Sequence, residues 1–290
     1  TGASDNTDFV ITVTTTEANE SFTFYTEDTD YNIDWDNNGT ADVTNVSGDQ
    51  TYTFTTAGTH TIRFSDLTDI NINNQADKDK YTSIEQWGTL AWDAHMANAF
   101  YGASNLISNA SDVANMSNVI DMSSMFEGAS LFNSIIGGWN VANVTDMSSM
   151  FKNATSFNQN IDAVWNVANV TDMSSMFEGA TAYNQGLGSW NTANVTDMSN
   201  MFKDASTFNH WINNWNTAKV TDMSSMFQGA TSFNTWVGGW DVANVTDLSS
   251  MFKGASSYTH HIGDWNVVNV TDLSSMFEGA TSYNNHVGYW

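Results

Sequence analysis

The sequence predicts an α/β fold, a solenoid of seven repeats preceded by a small β-sandwich domain. The main observation is a motif of the form NVTDMSSMFEGATSFN that recurs from residue 121 to the end of the chain. Its spacing is 25 residues at every step except one of 26. A fixed period of this size is typical of proteins in which each unit packs only against its neighbours. The repeated aspartate lies at Asp121, Asp146, Asp172, Asp197, Asp222, Asp247 and Asp272.

The first half of each repeat predicts a short helix. Met122, Met125, Phe126 and Ala129 follow the spacing i, i+3, i+4, i+7, which places them on one face of a helix. Asp121 precedes this stripe at the position of an N-cap. Every residue of one later column is Gly, Asn or Asp, the types that tolerate the left-handed conformation after a helix. This column comprises Gly128, Asn153, Gly179, Asp204, Gly229, Gly254 and Gly279.

The second half of each repeat predicts a strand stacked in parallel on its neighbours at ~4.8 Å. An aromatic column starts it, an aliphatic column follows four or so residues later, and a Trp ends every repeat. We expect the Met and Trp columns to form the core, and the segment 96–103 to cap the first repeat. The aromatic column is Phe132, Phe157, Tyr183, Phe208, Phe233, Tyr258 and Tyr283, and the aliphatic column is Ile136, Ile161, Leu187, Ile212, Val237, Ile262 and Val287.

The motif VTDMSSMFxGATSFNxxxGxW resembles the 25-residue repeat of BspA-like leucine-rich-repeat surface proteins, which is also seen in mycoplasma surface lipoproteins. The resemblance covers residues 119–290. It implies an LRR-like, right-handed solenoid on a cell surface, with a role in adhesion or protein interaction. It carries no catalytic residues over to this chain.

The N-terminal region shows short runs of β-type residues separated by turn-rich segments, a pattern that predicts an antiparallel sandwich. A pattern from Trp35-Asp36 to Ile62 is similar to the PKD-type domains of surface proteins. The runs are 9–13, 21–25, 51–54 and 59–64. The predicted organisation is therefore a β-sandwich at 1–80, a capping half-repeat and junction at 81–118, and the solenoid at 119–290.

One segment of this region is a candidate calcium loop. Residues 34–42 fit D-x-D-x-N-G-x-x-D, the first half of a calcium-binding loop. Position twelve of that loop is Asn45 and not the usual Glu. The alternative is an Asp/Asn/Gly hairpin turn between two strands. The candidate calcium ligands are Asp34, Asp36, Asn38, Thr40 and Asp42.

Composition narrows the classes of partner. The chain has 32 acidic and 7 basic residues, for a net charge of −25, which repels nucleic acid and anionic lipid. No apolar run approaches the ~20 residues of a membrane span, so we expect no membrane insertion in this chain. No Ser/His/Asp or Cys/His arrangement stands out, so we expect no enzymatic activity.

The column three residues past the aromatic varies while its neighbours repeat. If the aromatic and aliphatic residues point inwards, this column points outwards, as a recognition stripe would. Adjacent exposed Trp residues suit a protein hot spot or a sugar-stacking platform, and we expect Trp211 and Trp236 to stack side by side. The alternative is that the column fills gaps on a solvent-exposed face. Its members are Ile135, Asn160, Gly186, Trp211, Trp236, His261 and His286.

These observations predict a non-catalytic extracellular or cell-surface protein that binds a surface protein or a glycan. A structural subunit that assembles end to end with copies of itself is the alternative. The sequence stops at Trp290 inside a repeat, and an uncapped last repeat exposes core that a following subunit would cover.

Overall fold

The computed structural model describes residues 7–287 and 290. Its N-terminal part contains a six-stranded sheet in the order β4-β3-β6-β1-β7-β8 and a two-stranded sheet of β2 and β5. A short 3₁₀ helix, Lys78–Lys80, precedes β7. The strands are β1 Phe9–Thr15, β2 Glu20–Phe24, β3 Thr29–Asp34, β4 Val43–Ser47, β5 Gln50–Phe54, β6 Gly58–Ser65, β7 Tyr81–Gln86 and β8 Ile107–Ser108.

The predicted β runs form β1, β2, β5 and β6, as expected from their alternating apolar residues. Strands β1 and β6 pair antiparallel along the whole of β1, from Phe9↔Phe64 to Thr15↔Gly58. The two sheets pack through their aromatic residues, and the rings of Phe24 and Phe64 lie 4.1 Å apart. Strands β3, β4, β7 and β8 were not predicted, and β7 and β8 lie in the segment predicted as a junction.

The larger sheet continues directly into the repeats. Strand β8 pairs with β7 in parallel. The ring of Phe100, in the predicted capping segment 96–103, stacks on Phe126 of the first repeat at 5.4 Å. Three N–H groups of the N-terminal region also bond to carbonyls of this segment: Ile72 to Ala99 at 3.1 Å, Asn73 to Asn98 at 3.1 Å and Asn74 to Tyr101 at 2.9 Å.

The prediction of an α/β, leucine-rich-repeat-like solenoid is wrong. The 3₁₀ helix Lys78–Lys80 is the only helix among the described residues, and the segment predicted as helical is a series of turns. Ser124, inside that segment, adopts a left-handed φ of 52°, which interrupts a right-handed helix. The Gly/Asn/Asp column is left-handed as predicted, with φ between 57° and 73°. That conformation therefore closes a turn and not a helix.

Hydrogen bonds between repeats replace those of the predicted helix. The N–H groups of Met122, Ser124 and Phe126 donate to carbonyls of the next repeat at 2.8–3.0 Å. The intervening N–H groups of Met125 and Glu127 donate to carbonyls three residues earlier. A helix would use every N–H within its own turn. The apolar stripe that predicted a helix is thus produced by successive tight turns.

The predicted strand in the second half of the repeat is also wrong. Among the described residues of the seven repeats, only the repeated aspartate forms a parallel bridge to the next repeat, as in Asp121↔Asp146. At the residue after the aromatic one, the backbone N–H donates to a side chain of the preceding repeat and not to a backbone carbonyl. The N–H of Asn158, for example, donates to Oδ1 of Asn133 at 2.9 Å. The regular strands of the described chain, β1 to β8, all end by residue 108, so its sheets are not those of a leucine-rich-repeat solenoid.

The repeats stack in the register set by their period. The rings of Phe126 and Phe151 lie 5.9 Å apart, and those of Phe151 and Phe177 lie 5.7 Å apart. The Trp column is buried as predicted from Trp139 to Trp265. From Trp165 to Trp265 its indole N–H groups donate to carbonyls of the preceding repeat, as from Trp215 to the Leu187 carbonyl at 2.8 Å. The core is therefore a set of ring columns held by turns.

Candidate functional site

An open groove with a volume of about 460 Å³ lies on the surface of three neighbouring repeats. It lies beside one stretch of the aromatic column, on residues that follow Phe208, Phe233 and Tyr258 in the chain. The groove is lined by Asn209, Trp211, Asn213, Asn234, Thr235, Trp236 and His260.

The local alternation of side chains places two Trp residues in this groove. Phe208 and Ile212 are fully buried, and between them Trp211 is 78% exposed. In the next repeat Phe233 and Val237 are fully buried, and Trp236 is 48% exposed. The six Trp residues of the buried column from Trp139 to Trp265 are only 3–4% exposed. The variable column therefore points outwards, and the sequence had identified both tryptophans.

Two glycines explain why Trp236 is less exposed than Trp211. A methyl group built on Gly239 would lie 2.8 Å from Cη2 of Trp236, and one built on Gly238 would lie 2.7 Å from its Nε1. The indole therefore lies against the backbone of both glycines. The corresponding residues after Trp211 are Asn213 and Asn214, which offer no such seat.

A ladder of asparagine side chains forms the floor of the groove. Oδ1 of Asn209 accepts the N–H of Asn234 at 2.8 Å, and Oδ1 of Asn234 accepts the N–H of Thr259 at 2.9 Å. In the described part of the chain, the Nδ2 groups of Asn209 and Asn234 have no hydrogen-bond partner. The ladder was missed, although an Asn follows the aromatic residue in six of the seven repeats.

The rest of the predicted stripe lies outside the groove. Ile135 is 88% exposed, Asn160, His261 and His286 are also exposed, and Gly186 is half-buried. His261 lies 3.7 Å from the Asp264 carboxylate. The predicted stacking of Trp211 on Trp236 is wrong: among the described residues these two rings make no ring contact, since Trp236 lies on its own glycines.

His260 lines the groove and was missed by the sequence analysis. Its Nε2 lies 2.8 Å from the carbonyl oxygen of Asn234, which fixes its ring at the edge of the groove. Thr235, also missed, is 8% exposed, and its hydroxyl donates to the carbonyl of His210 at 3.1 Å.

The candidate calcium loop is the hairpin between β3 and β4. One carboxylate oxygen each of Asp34, Asp36 and Asp42 lies within 4.8 Å of the others. Asp34 is buried, and its carboxylate accepts the N–H groups of Asn38 and Gly39 at 3.1 and 2.7 Å. The loop thus has the hydrogen bonds of a hairpin turn together with three converging carboxylates.

The two other candidate ligands contribute less to this cluster. Asn38 and Thr40 are exposed, and the Asn38 Oδ1 accepts the N–H of Thr40 at 2.9 Å. The Asp42 carboxylate accepts the N–H of Trp35 at 2.8 Å, and Nε of Arg63 donates to Oδ1 of Asn37 at 2.9 Å. The fit to a hard cation therefore rests on the three aspartates.

The repeated aspartate holds a turn instead of capping a helix. Its Oδ1 accepts the N–H two residues later, as from Ser199 to Asp197 at 2.8 Å. Burial raises the pKa of Asp197; the hydrogen bonds from Ser199 oppose this, and the neighbouring charges of Asp172 and Asp222 add to it. The aspartate column is thus a structural row whose charges repel one another.

These features define a protein of stacked, turn-built repeats with an exposed aromatic groove. The repeat region matches a family model at residues 94–211 and 208–290, and the chain belongs to this family, described as Mycoplasma protein of unknown function, DUF285. No curated protein and no solved structure matches the chain. In its described residues, no helix has the length and apolar character that crossing a bilayer requires.

Proposed function

We propose that this chain is a non-catalytic recognition module of the BspA-like kind, located on a cell surface or outside the cell. The groove around Trp211 and Trp236 is its contact site. The single observation that carries the proposal is the exposure of two large aromatic residues on neighbouring repeats, 78% and 48%. Its partner is a macromolecule on another surface.

The exposure of these residues is costly unless a partner covers them. A Trp side chain gains more free energy on burial than most residues, and exposed aromatic patches mark interaction sites. Tryptophan is also enriched among the residues that dominate binding energy. The same chain buries the Trp column from Trp139 to Trp265 almost completely, so the fold has room for tryptophan in its interior. Trp211 and Trp236 are therefore suited to contact rather than to packing.

The chemistry of the groove supports binding without a reaction. Among the described residues that line it, the one titratable side chain is His260, whose Nε2 contacts the Asn234 carbonyl. The amide, hydroxyl and indole groups around it recognise shape and hydrogen-bonding pattern, and they supply neither a nucleophile nor an acid–base pair. The proposal accordingly contains no catalytic step.

Binding to a panel of animal, yeast and bacterial cells tests the proposal. We expect fluorescently labelled protein to bind at least one cell type, and Trp211→Ala or Trp236→Ala to weaken that binding about tenfold or more. The matched control is Ile135→Ala, which removes an exposed apolar side chain from the same column outside the groove. Equal binding by all three variants would contradict the proposal. Long fibres in electron microscopy would instead favour the end-to-end assembly predicted as the alternative.

We also propose that the β3–β4 loop binds calcium. The carboxylates of Asp34, Asp36 and Asp42 supply the hard oxygen ligands that Ca²⁺ prefers. Bound calcium stabilises the folded state by mass action, so Ca²⁺ should raise the melting temperature and EDTA should reverse the increase. Asp42→Asn keeps an acceptor for the Trp35 N–H but removes a charge, and it should abolish the increase. Asp264→Asn, in an exposed part of the repeats, is the control, and an unchanged response in Asp42→Asn would exclude the site.

A further inference from the structure

We infer that the groove binds a neutral oligosaccharide, an inference that rests on the proposed recognition function and specifies its ligand. In the part of the chain that the structure describes, two aromatic rings and two side-chain amides with unpaired donors lie together there, and the lining contains no Asp, Glu, Lys or Arg. Together these features favour an uncharged ligand that has both flat apolar faces and hydroxyl groups.

The groove has a neutral lining although the chain is strongly acidic. The chain carries a net charge of −25, yet none of the groove residues in the described part of the chain is Asp, Glu, Lys or Arg. A basic peptide would be recognised by carboxylates at the contact, and a sulfated or sialylated sugar by cations. A neutral lining inside an acidic protein favours a ligand without charge.

The indole rings of the groove are exposed, and one of them is supported by backbone. Trp236 rests on Gly238 and Gly239, so the backbone supports its ring while 48% of the residue stays exposed. A supported, exposed ring loses little conformational freedom when a flat apolar surface packs on it. The C–H face of a pyranose ring is such a surface, and its hydroxyls lie at the rim. Trp211, on the neighbouring repeat, offers a second ring to the same groove.

Hydrogen bonds orient the side-chain amides of the groove. The asparagine ladder fixes Oδ1 of Asn209 and Asn234 by backbone N–H groups at 2.8 and 2.9 Å. The side-chain amides are thereby oriented, and their Nδ2 donors have no partner in the described chain. Sugar hydroxyl oxygens accept such bonds. Rigid aromatic rings beside pre-oriented amides provide both parts of carbohydrate recognition.

The groove also has a suitable size. Its volume of about 460 Å³ falls within the range of ~300–1,000 Å³ of small-ligand sites. The buried rings of Trp215 and Trp240, one repeat apart, are separated by 6.1 Å, a distance comparable with the length of one sugar unit. An oligosaccharide lying along the stack would therefore place successive sugars on successive repeats, beside Trp211 and then beside Trp236.

The direct test uses cello-, manno-, galacto- and chito-oligosaccharides of two to six sugars, with sialylated and sulfated sugars and oligolysine as charged probes. Binding is followed by glycan array and by tryptophan fluorescence. We expect at least one neutral oligosaccharide to bind, and Trp236→Ala to weaken it about thirtyfold, the fold-change of a ~2 kcal/mol hot spot. Ile135→Ala should leave the affinity unchanged. Preferential binding of oligolysine or of the charged sugars would overturn the inference.

Asn234→Asp separates a sugar from a basic peptide. The substitution keeps the oxygen that accepts the Thr259 N–H, removes the Nδ2 donor and adds a negative charge. A neutral sugar should bind about tenfold more weakly, whereas a basic peptide should bind more tightly. The control is Asn158→Asp, at the same ladder position outside the groove, which should leave sugar affinity unchanged. A tighter complex in Asn234→Asp would exclude the neutral ligand.

Gly239→Ala tests the seat of Trp236 while every side chain that is proposed to contact the ligand is kept. The added methyl displaces the indole, so sugar affinity and tryptophan emission should both change. Gly138→Ala occupies the equivalent position of an earlier repeat, where the methyl meets Val113 at 3.1 Å, and should change neither. Unaltered affinity in a folded Gly239→Ala variant would contradict the role of the supported Trp236 ring in binding the sugar.

A cell-binding experiment with enzyme-treated cells distinguishes failure of this inference from failure of the proposed function. If adhesion depends on Trp211 and Trp236 and is lost after glycosidase treatment of the cells, both stand. Adhesion that depends on the tryptophans, survives glycosidases and is lost after protease treatment overturns the sugar alone. Adhesion that is unchanged in the Trp211→Ala and Trp236→Ala variants overturns both the proposed site and this inference.

Discussion

The N-terminal sheets and the repeat stack bury apolar side chains in different ways. In the sheets, neighbouring residues come from paired strands whose distance along the sequence differs from one pair to the next. Thr12 of β1, for example, contacts Thr82 of β7 at 3.0 Å. In the stack, a residue meets its own counterpart one repeat away, as Phe177 meets Phe151 and Phe202 at 5.7 and 5.6 Å. The stack therefore needs periodicity but no regular strand, and its stability is a sum over nearly identical contacts.

The largest effect should come from interrupting a ring column in the middle of the stack. Phe177→Ala removes a fully buried ring between two neighbours and should lower the free energy of unfolding by about 3–5 kcal/mol. Phe277→Ala, at the half-buried counterpart in the seventh repeat, should cost clearly less. Urea denaturation of both variants measures the difference. Equal losses would contradict a stack whose repeats depend on neighbours on both sides.

The next effect distinguishes a side-chain ladder from a backbone ladder. Asn158→Ala removes the Oδ1 atom that accepts the backbone N–H of Asn184 at 2.9 Å and the side-chain N–H of Gln185 at 3.1 Å. We expect a loss of about 1–2 kcal/mol from the unsatisfied donors. Thr53→Ala on β5 leaves the backbone bonds of the β2–β5 pair in place and should change stability by no more than about 0.5 kcal/mol. The comparison fails if both variants unfold at the same denaturant concentration.

The two regions should also respond in opposite directions to acid. Burial raises the pKa of Asp197 in the stack, so its carboxylate opposes folding above that pKa, and this effect disappears as the pH falls towards the usual 3.8. The hydrogen bond from Lys80 lowers the pKa of Glu20 in the sheets to about 2, so Glu20 stabilises the fold above its usual 4.5 and that contribution is lost as the pH falls towards 2.

Unfolding of Asp197→Asn and Glu20→Gln between pH 2 and pH 7 checks these signs. Relative to the unmodified chain, Asp197→Asn should gain stability at pH 7 and lose that advantage in acid. Glu20→Gln should be less stable at pH 7 and approach the unmodified chain as the pH falls. The same sign for both variants at pH 7 would contradict the account.

The smallest effect concerns charge along the stack. Glu178 lies between Lys152 and Lys203, at 3.1 and 3.0 Å. Burial tends to raise the pKa of Glu178, but hydrogen bonds from Lys203, Lys152 and Ser175 outweigh it and the pKa is lowered. Lys203→Met should cost less than about 1 kcal/mol, and less again in high salt, because the pairs are partly exposed. A loss independent of salt would indicate packing of the Lys203 stem instead.

The sequence predicted the buried columns because a 25-residue period and apolar residues are both visible in it. It did not predict how the backbone is bonded, since bonds between repeats leave no local pattern. Ser124 gives no indication of its left-handed φ of 52°, and the i, i+3, i+4 spacing of tight turns is the same as that of a helix. The acceptor role of the Asn133 side chain is visible only when two repeats are seen side by side.

The candidate site was also predicted only in part from the sequence. The varying column identified Trp211 and Trp236, because variation inside a repeat marks an outward position. It did not identify Asn209 and Asn234, which repeat like core residues, and it favoured His261 over His260. The seat formed by Gly238 and Gly239 depends on the side-chain orientation of Trp236, which no sequence pattern specifies.

Binding by the double variant Trp211→Ala/Trp236→Ala tests the central claim most directly. Its affinity for the cell type that the unmodified chain binds is measured beside that of Ile135→Ala, after circular dichroism and urea unfolding have shown that both variants fold. The account predicts no measurable binding by the double variant and unchanged binding by Ile135→Ala. A folded double variant that binds within about twofold of the unmodified chain would contradict it.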